Sequence, residues 1–234
     1  ILILILFLSV SYMLFSSNKI AEQNKLWTGM AKETAHQIGT PLSSLLGWME
    51  ILKSENVDQN YVAEMQKDID RLNTIANRFS KIGSVPELKK HNITTVTKDA
   101  FAYLESRSSK QLHFTFNAEI DTIHSKINIE LFGWVIENLV KNAIDSMKGK
   151  GNIALDISEN GKWIKITVSD TGKGIPKSQF KQIFKPGYTT KKRGWGLGLS
   201  LSKRIVEEYH NGKIFVQSSK LNKGTSIQIL LNKA

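Results

Sequence analysis

The chain has 234 residues, room for one large domain or two small ones, and a hydrophobic share of 41% that excludes general disorder. It has no cysteine, which excludes disulfides, thiolate metal sites and a cysteine nucleophile. A net charge of +11 suits an anionic membrane surface, a polyphosphate ligand or an acidic partner as well as plain solvation. The basic residues are spread along the chain with no nucleic-acid-binding motif, so nucleic acid is not an expected partner.

Residues 1–15 are almost wholly apolar. A bilayer span takes roughly 20 residues, so the run is expected to be the C-terminal part of a transmembrane helix. A signal-peptide core is the competing reading, but no basic leader precedes the run and no small-residue cleavage site follows it. Lys19, Lys25 and Lys32 come next, which places residues from about 16 onward on the cytoplasmic side of an inner, cytoplasmic membrane.

From Glu22 the spacing becomes helical. Ala35, Ile38, Leu42, Leu45, Met49 and Leu52 step by 3 and 4, and so do Val62, Met65, Ile69, Leu72, Ala76 and Phe79. Both are heptad seams. Ser54 to Asp58 reads as a polar turn, with Asp58 the N-cap of the second helix. Two long helices and a short turn make an antiparallel hairpin over residues 16–84. One hairpin leaves much of its apolar stripe wet, and pairing two hairpins in a four-helix bundle buries it, so a homodimer is expected.

Gly83, Ser84, Val85 and Pro86 break the helix and open a second domain over 85–234. The pattern there predicts helices at 94–106, 128–147 and 196–209. It predicts strands at 112–116, 153–158, 162–169, 213–218 and 225–231, the middle pair turning at Glu159, Asn160 and Gly161. Helices mixed with hairpin-linked strands suggest an α+β sandwich, one sheet covered by helices.

Four stretches of this chain carry chemistry. His36 lies on the flank of the first seam, exposed to a visiting domain, and an uncharged imidazole nitrogen is a good nucleophile near neutral pH. Pro41 follows it and cannot donate to the carbonyl of Gln37, so a bend is expected close to the histidine. Asn138 and Asn142 are four apart on one face of an otherwise apolar helix. Buried amides need a partner, and their oxygens suit Mg²⁺, a hard cation that shares its shell with phosphate oxygens. Asp170, Thr171, Gly172, Lys173, Gly174 and Ile175 follow an apolar strand. The carboxylate offers an acceptor to the exocyclic amine of adenine, and the two glycines allow close backbone approach. Lys191, Lys192 and Arg193 then lead into Gly194, Trp195, Gly196, Leu197, Gly198 and Leu199, a basic run before a Gly-rich helix start of the kind that holds anions.

Together these strings resemble a membrane-bound sensor histidine kinase of two-component systems. His-x-x-x-Thr-Pro-Leu at 36–42 is similar to the HisKA dimerisation and phosphoacceptor box, and the rest to the N, G and F boxes of the Bergerat ATP-binding fold shared with gyrase, the heat-shock chaperone ATPases and MutL. The resemblance implies a dimeric four-helix bundle followed by an α/β-sandwich Bergerat domain. It implies autophosphorylation of His36 from Mg²⁺-ATP and transfer to an aspartate of a response-regulator receiver domain, with Thr40 positioning water for a phosphatase reaction. It extends the ATP-binding set from Asn138, Asn142, Asp170, Gly172 and Gly174 to Lys141, Asp145, Ile175, Thr189, Thr190, Lys191, Lys192, Arg193, Gly194, Gly196, Leu197, Gly198 and Thr225, with Asn142 on the metal. Gly224 and Thr225 read either as the final glycine box or as a plain hairpin turn.

Two departures from the family pattern, at 37 and at 187–188, and one difference from its hydrolytic relatives, at 138, matter. Gln37 stands where most members carry Glu or Asp beside the histidine, and an amide cannot hold a proton. A kinase-deficient scaffold or phosphatase is the reading that this keeps open. Asn138 stands where the hydrolytic relatives have a water-activating Glu, which argues against a pure ATPase. Gly187 and Tyr188 stand where Phe-Phe is frequent in the mobile ATP lid that the resemblance implies over 184–199.

Overall fold

The computed structural model describes residues 3, 4, 6–8, 10, 11, 38–55, 57–82, 86–191 and 196–234. Two compact units are present, Ile1–Pro86 and Glu87–Ala234. The expectations for His36, Gln37, Lys192, Arg193 and Gly194 lie outside the described residues, as does part of the apolar run 1–15. Its described residues are helical and exposed. Among the described residues no helix is long and apolar enough to cross a membrane.

In the first unit, helix α1 is described over 38–54 and helix α2 is Gln59–Ile82. Asp58 caps α2: its carboxylate accepts from the Asn60 N–H at 2.9 Å and its carbonyl from the Tyr61 N–H at 3.0 Å. Leu42 and Met49 of α1 pack with Val62, Ile69 and Ala76 of α2, flanked by Ile38, Leu46, Leu52 and Val57. The burial therefore recurs at every seventh residue. Alternate seam positions point away: Leu45, Met65 and Leu72 are 43%, 40% and 41% exposed. Two helices side by side cover one line of side chains. The second line, with Trp48, Ile51 and Ile75, forms an apolar face that the single hairpin leaves open.

The second unit is a five-stranded sheet in the order β2-β4-β5-β7-β6, built from β2 Leu112–Ala118, β4 Gly151–Asn160, β5 Trp163–Asp170, β6 Lys213–Lys220 and β7 Gly224–Asn232. Strand β2 runs parallel to β4, and the other pairs are antiparallel. Alternation sends Ile153, Leu155, Ile157, Ile164, Ile166, Val168, Ile227, Ile229 and Leu231 to the buried face. Helices α3 Ile93–Glu105 and α4 Ile129–Ser146 pack there with Phe101, Leu131, Val135, Leu139 and Val140. A small antiparallel sheet pairs β1 Lys89–Asn92 with β3 His124–Ile127, and the sequence pattern missed both. It is tied to the large sheet where the Ser125 hydroxyl donates to the Asn232 carbonyl at 2.8 Å and the Ala234 N–H to the His124 carbonyl at 2.9 Å.

The helix expected over 196–209 starts at Gly198 and changes pitch. Helix α5 Gly198–Arg204 passes into a π turn, Ile205–Tyr209, in which the His210 N–H reaches back to the Ile205 carbonyl at 3.2 Å. The wider turn carries the His210 ring into the core, 4% exposed, against Phe132. Its Nε2 accepts from the Asn128 N–H at 3.0 Å, and its Nδ1 lies 2.8 Å from the Ile205 carbonyl, to which it donates in the neutral ring. Burial lowers the His210 pKa, although the Ile205 and Asn128 contacts act in the other direction.

Two outcomes are expected. The open face of the hairpin should hold two chains together, so Leu72→Asp should raise the dimer dissociation constant at least about tenfold in sedimentation equilibrium. A monomeric wild-type hairpin at micromolar concentration contradicts the bundle. For His210, the unfolded chain binds the proton more tightly than the folded domain, so this contribution to stability is complete above the ordinary histidine value of 6.5 and is lost as pH falls through it. The melting temperature of residues 87–234 should drop as pH falls from about 7 to about 5, and His210→Gln should flatten that drop.

Candidate nucleotide-binding site

Helix α4 is the floor of the site. Asn128 starts it by accepting from the Leu131 N–H at 3.1 Å, and Met147 caps its C-terminal end. One side of the helix is sealed in the core. The opposite side presents Asn138, Lys141, Asn142, Asp145 and Ser146 to a cavity of about 780 Å³, within the usual size range for a nucleotide. The Asn138 amide donates to the Ser202 hydroxyl of α5 at 3.5 Å. Lys141 forms an ion pair with Glu137 at 3.5 Å, and Glu137 itself does not line the cavity.

Asp170, the last residue of β5, closes the inner end. Its Oδ1 accepts from the Gly172 N–H at 2.7 Å and from the Ser146 hydroxyl at 2.8 Å, joining the end of the strand to the end of α4. Gly172 has to be glycine here: a Cβ would lie 1.9 Å from Ser146 Oγ. Gly174 has φ +70, and a Cβ there would lie 2.2 Å from the Lys220 carbonyl oxygen. Ile175 follows, its N–H donating to Ser219 Oγ at 2.7 Å. Thr225, opposite Asp170 in the β5–β7 register, is buried and shares a 2.9 Å hydroxyl contact with Ser219. Burial pushes the Asp170 pKa up, and hydrogen bonds from Gly172, Ser146 and the Thr225 backbone pull it back.

The outer wall is built from residues 184–191 and from 196 to the start of α5. Ile183 and Phe184 anchor it in the core, and the Gly187 N–H donates to the Gly196 carbonyl at 3.1 Å, tying its two ends together. Thr189, Thr190 and Lys191 face the cavity on one side of that tie; Gly196, Leu197 and Gly198 face it on the other. Among the described residues no side chain caps the first turn of α5.

The structure thus gathers every described member of the predicted nucleotide set around one cavity, with Gly172 just behind its wall. Sequence reasoning missed Ser146, although it follows Asn142 at helical spacing. It also missed the apolar lining from Leu139, Val168, Ile183 and Ile227, whose pattern is that of ordinary core, and from Leu221 in the β6–β7 turn. Thr40 is exposed on α1.

Asp170→Asn tests the adenine contact, because it replaces an acceptor-only group with one that also donates. ATP affinity should fall at least tenfold, roughly 1.4 kcal/mol, by calorimetry. The melting temperature should hold or rise, because the folded state binds the Asp170 proton more tightly than the unfolded chain does. The charged carboxylate therefore costs stability at neutral pH, and that cost fades as pH falls through the raised value. ATP affinity should run the other way, weakening as the acid protonates and starting above the ordinary carboxylate value of 3.8. Unchanged affinity in the variant rules the role out.

Residues 27–84 match the His Kinase A (phospho-acceptor) domain, and residues 128–234 match the histidine kinase-, DNA gyrase B- and HSP90-like ATPase family. The sensor histidine kinase ZraS of Escherichia coli K12 is 33% identical over 216 residues, 86% of this chain and 44% of ZraS. Sporulation kinase C of Bacillus subtilis is 26% identical over 225 residues, 92% of this chain and 50% of that kinase. The chain thus spans about half the length of these curated relatives. The solved catalytic domain of histidine kinase ThkA superposes on 63% of this chain and 97% of its own, with a TM-score of 0.58 and 27% identity. A phospho-acceptor domain ahead of an ATPase domain of this fold is the order found in two-component sensor histidine kinases, and the chain belongs to that family.

Proposed function

We propose that the chain is the transmitter of a membrane-anchored sensor histidine kinase, which moves the γ-phosphoryl group of ATP to His36 and then to an aspartate of a response-regulator receiver domain. The observation that carries this is one cavity in which the amide face of α4 meets the Asp170 carboxylate, with Asn at 138 where a hydrolytic enzyme needs a base. An imidazole nitrogen of His36 attacks the γ-phosphorus, the bond to the β-phosphate oxygen breaks, ADP leaves and the ring's proton passes to solvent, since the Gln37 amide cannot hold it. Asp170 orients the adenine. Asn142 Oδ1 has the donor chemistry to hold Mg²⁺, which supplies charge neutralisation on the phosphates when bound. Two chains paired through the open hairpin face form the homodimer, and the apolar run 1–15 supplies the membrane anchor.

Incubation with γ-labelled ATP should yield acid-labile, base-stable label. His36→Gln should abolish it while ATP affinity stays within a few-fold. Label that persists on that variant sinks the assignment. Gln37→Glu should speed labelling about three- to thirtyfold, somewhat under the usual ~10²–10⁴-fold of a well-placed base. A rate unchanged across pH 6 to 9 would mean that deprotonation does not limit the reaction. Thr40→Ala should remove phosphatase activity towards the regulator and spare the kinase.

A further inference from the structure

Asn142 and Asp145 are three residues apart on α4, so their side chains lie about one turn apart on the cavity face. The outer wall reaches across to both. Lys191 Nζ donates to Asn142 Oδ1 at 3.0 Å and to Asp145 Oδ2 at 2.5 Å. One residue earlier, Thr190 Oγ1 accepts from Lys173 Nζ at 3.0 Å. The segment is therefore fastened on two sides, to α4 by Lys191 and to the loop after β5 by Thr190. A single cation sits on two α4 oxygens, and one of them is the amide oxygen suited to Mg²⁺.

We infer that Asn142 and Asp145 form a cation subsite that Lys191 and Mg²⁺ occupy in turn, so that loading of the metal with ATP unfastens the stretch 189–191 from α4. This rests on the nucleotide reading above and adds Asp145 as a metal-side residue. The chemistry is one of competition. An ammonium group and Mg²⁺ both seek oxygen ligands, and like charges crowded on one pair of oxygens repel. The Asp145 carboxylate, beside a triphosphate, needs a cation in either state. When the divalent ion takes that place, Lys191 gives up its contact with α4 and the stretch 189–191 loses one of its two fastenings.

The test compares ATP affinity of the full chain by calorimetry, with Mg²⁺ and with EDTA, and the hydrogen exchange of residues 187–191 before ATP is added. Lys191→Met removes the competitor, so the advantage that Mg²⁺ gives to ATP binding should grow about three- to tenfold. Asp145→Asn removes a metal-side oxygen charge, so that advantage should shrink by a similar factor. The Asp145 side chain is 52% exposed, so the variant is expected to fold normally. Exchange should quicken in each single variant and be no faster in the double variant, because both break the same contact. An unchanged Mg²⁺ advantage in both variants overturns the inference. So does an equal loss of affinity with and without Mg²⁺ in Lys191→Met, which would make Lys191 a phosphate contact alone. If the wild-type chain binds no ATP in either buffer, the nucleotide reading itself fails. ATP binding with an unaltered Mg²⁺ advantage sinks only the present inference.

Discussion

The carboxylate of Asp170 sets the geometry of the second unit's working end. It fastens the end of β5 to the last turn of α4 through Ser146, and it folds the chain back on itself through the Gly172 N–H. The Lys173 N–H adds a backbone bond to the Ser146 carbonyl at 3.2 Å. With the end of the helix pinned there and its apolar side pressed on the sheet, Asn138, Asn142 and Asp145 have one direction left to face. Such a carboxylate is an expensive fastener, since burial opposes its charge. A neutral side chain could hold strand to helix at lower cost. Retaining an acid at this point makes sense when a ligand uses its remaining acceptor capacity.

Much of this fold was legible in the sequence, for physical reasons that differ from element to element. Helix α4 announces itself because one face is uniformly apolar and Asn128 begins it. Strands β4 and β5 alternate over enough residues for the period of two to stand out. Strands β1 and β3 have only four residues each and are largely polar, so no period can emerge. Their pairing depends on partners distant in the chain. The π turn at Ile205–Tyr209 is equally invisible, because five residues of apolar and acidic side chains suit either pitch. The burial of His210 follows from that hidden turn. In the hairpin the heptad was readable, but which half of the seam faces the partner helix was not. That choice depends on how the two helices rotate against each other, and it leaves Leu45 outside while Leu46 packs.

The site divides in the same way. Spacing alone places Asn138 and Asn142 on one face, and a strand followed by Asp-x-Gly-x-Gly brings the carboxylate to an edge. The apolar lining of the cavity could not be singled out, because Leu139, Val168 and Ile227 belong to the same periodic pattern as the core. Lys191 shows the limit most clearly. As part of a basic run it reads as a neighbour of phosphates, yet its ammonium group lies on an amide and a carboxylate of α4. Only the folded chain brings residues 142, 145 and 191 together.

The strength of that contact bears on how a phosphoryl group could leave the site for another domain. Lys191 and Asp145 are 44% and 52% exposed, and an ion pair in so wet a setting contributes under about 1 kcal/mol. The Lys173–Thr190 bond is also exposed, and the Gly187–Gly196 bond is a single backbone contact. Among the described residues, the stretch 189–191 is thus held over the cavity by interactions that ordinary thermal energy can rearrange. A tightly sealed wall would suit an enzyme that hydrolyses ATP in place, since water needs no docking surface. Delivery to a histidine on another unit requires the γ-phosphoryl to be reachable once the nucleotide is held. With amides at 138 and 142, the two cavity-facing asparagines supply no base to activate water. On the proposed reading, strong contacts at the Asp170 end of the cavity and weak ones at the Lys191 end favour transfer over hydrolysis.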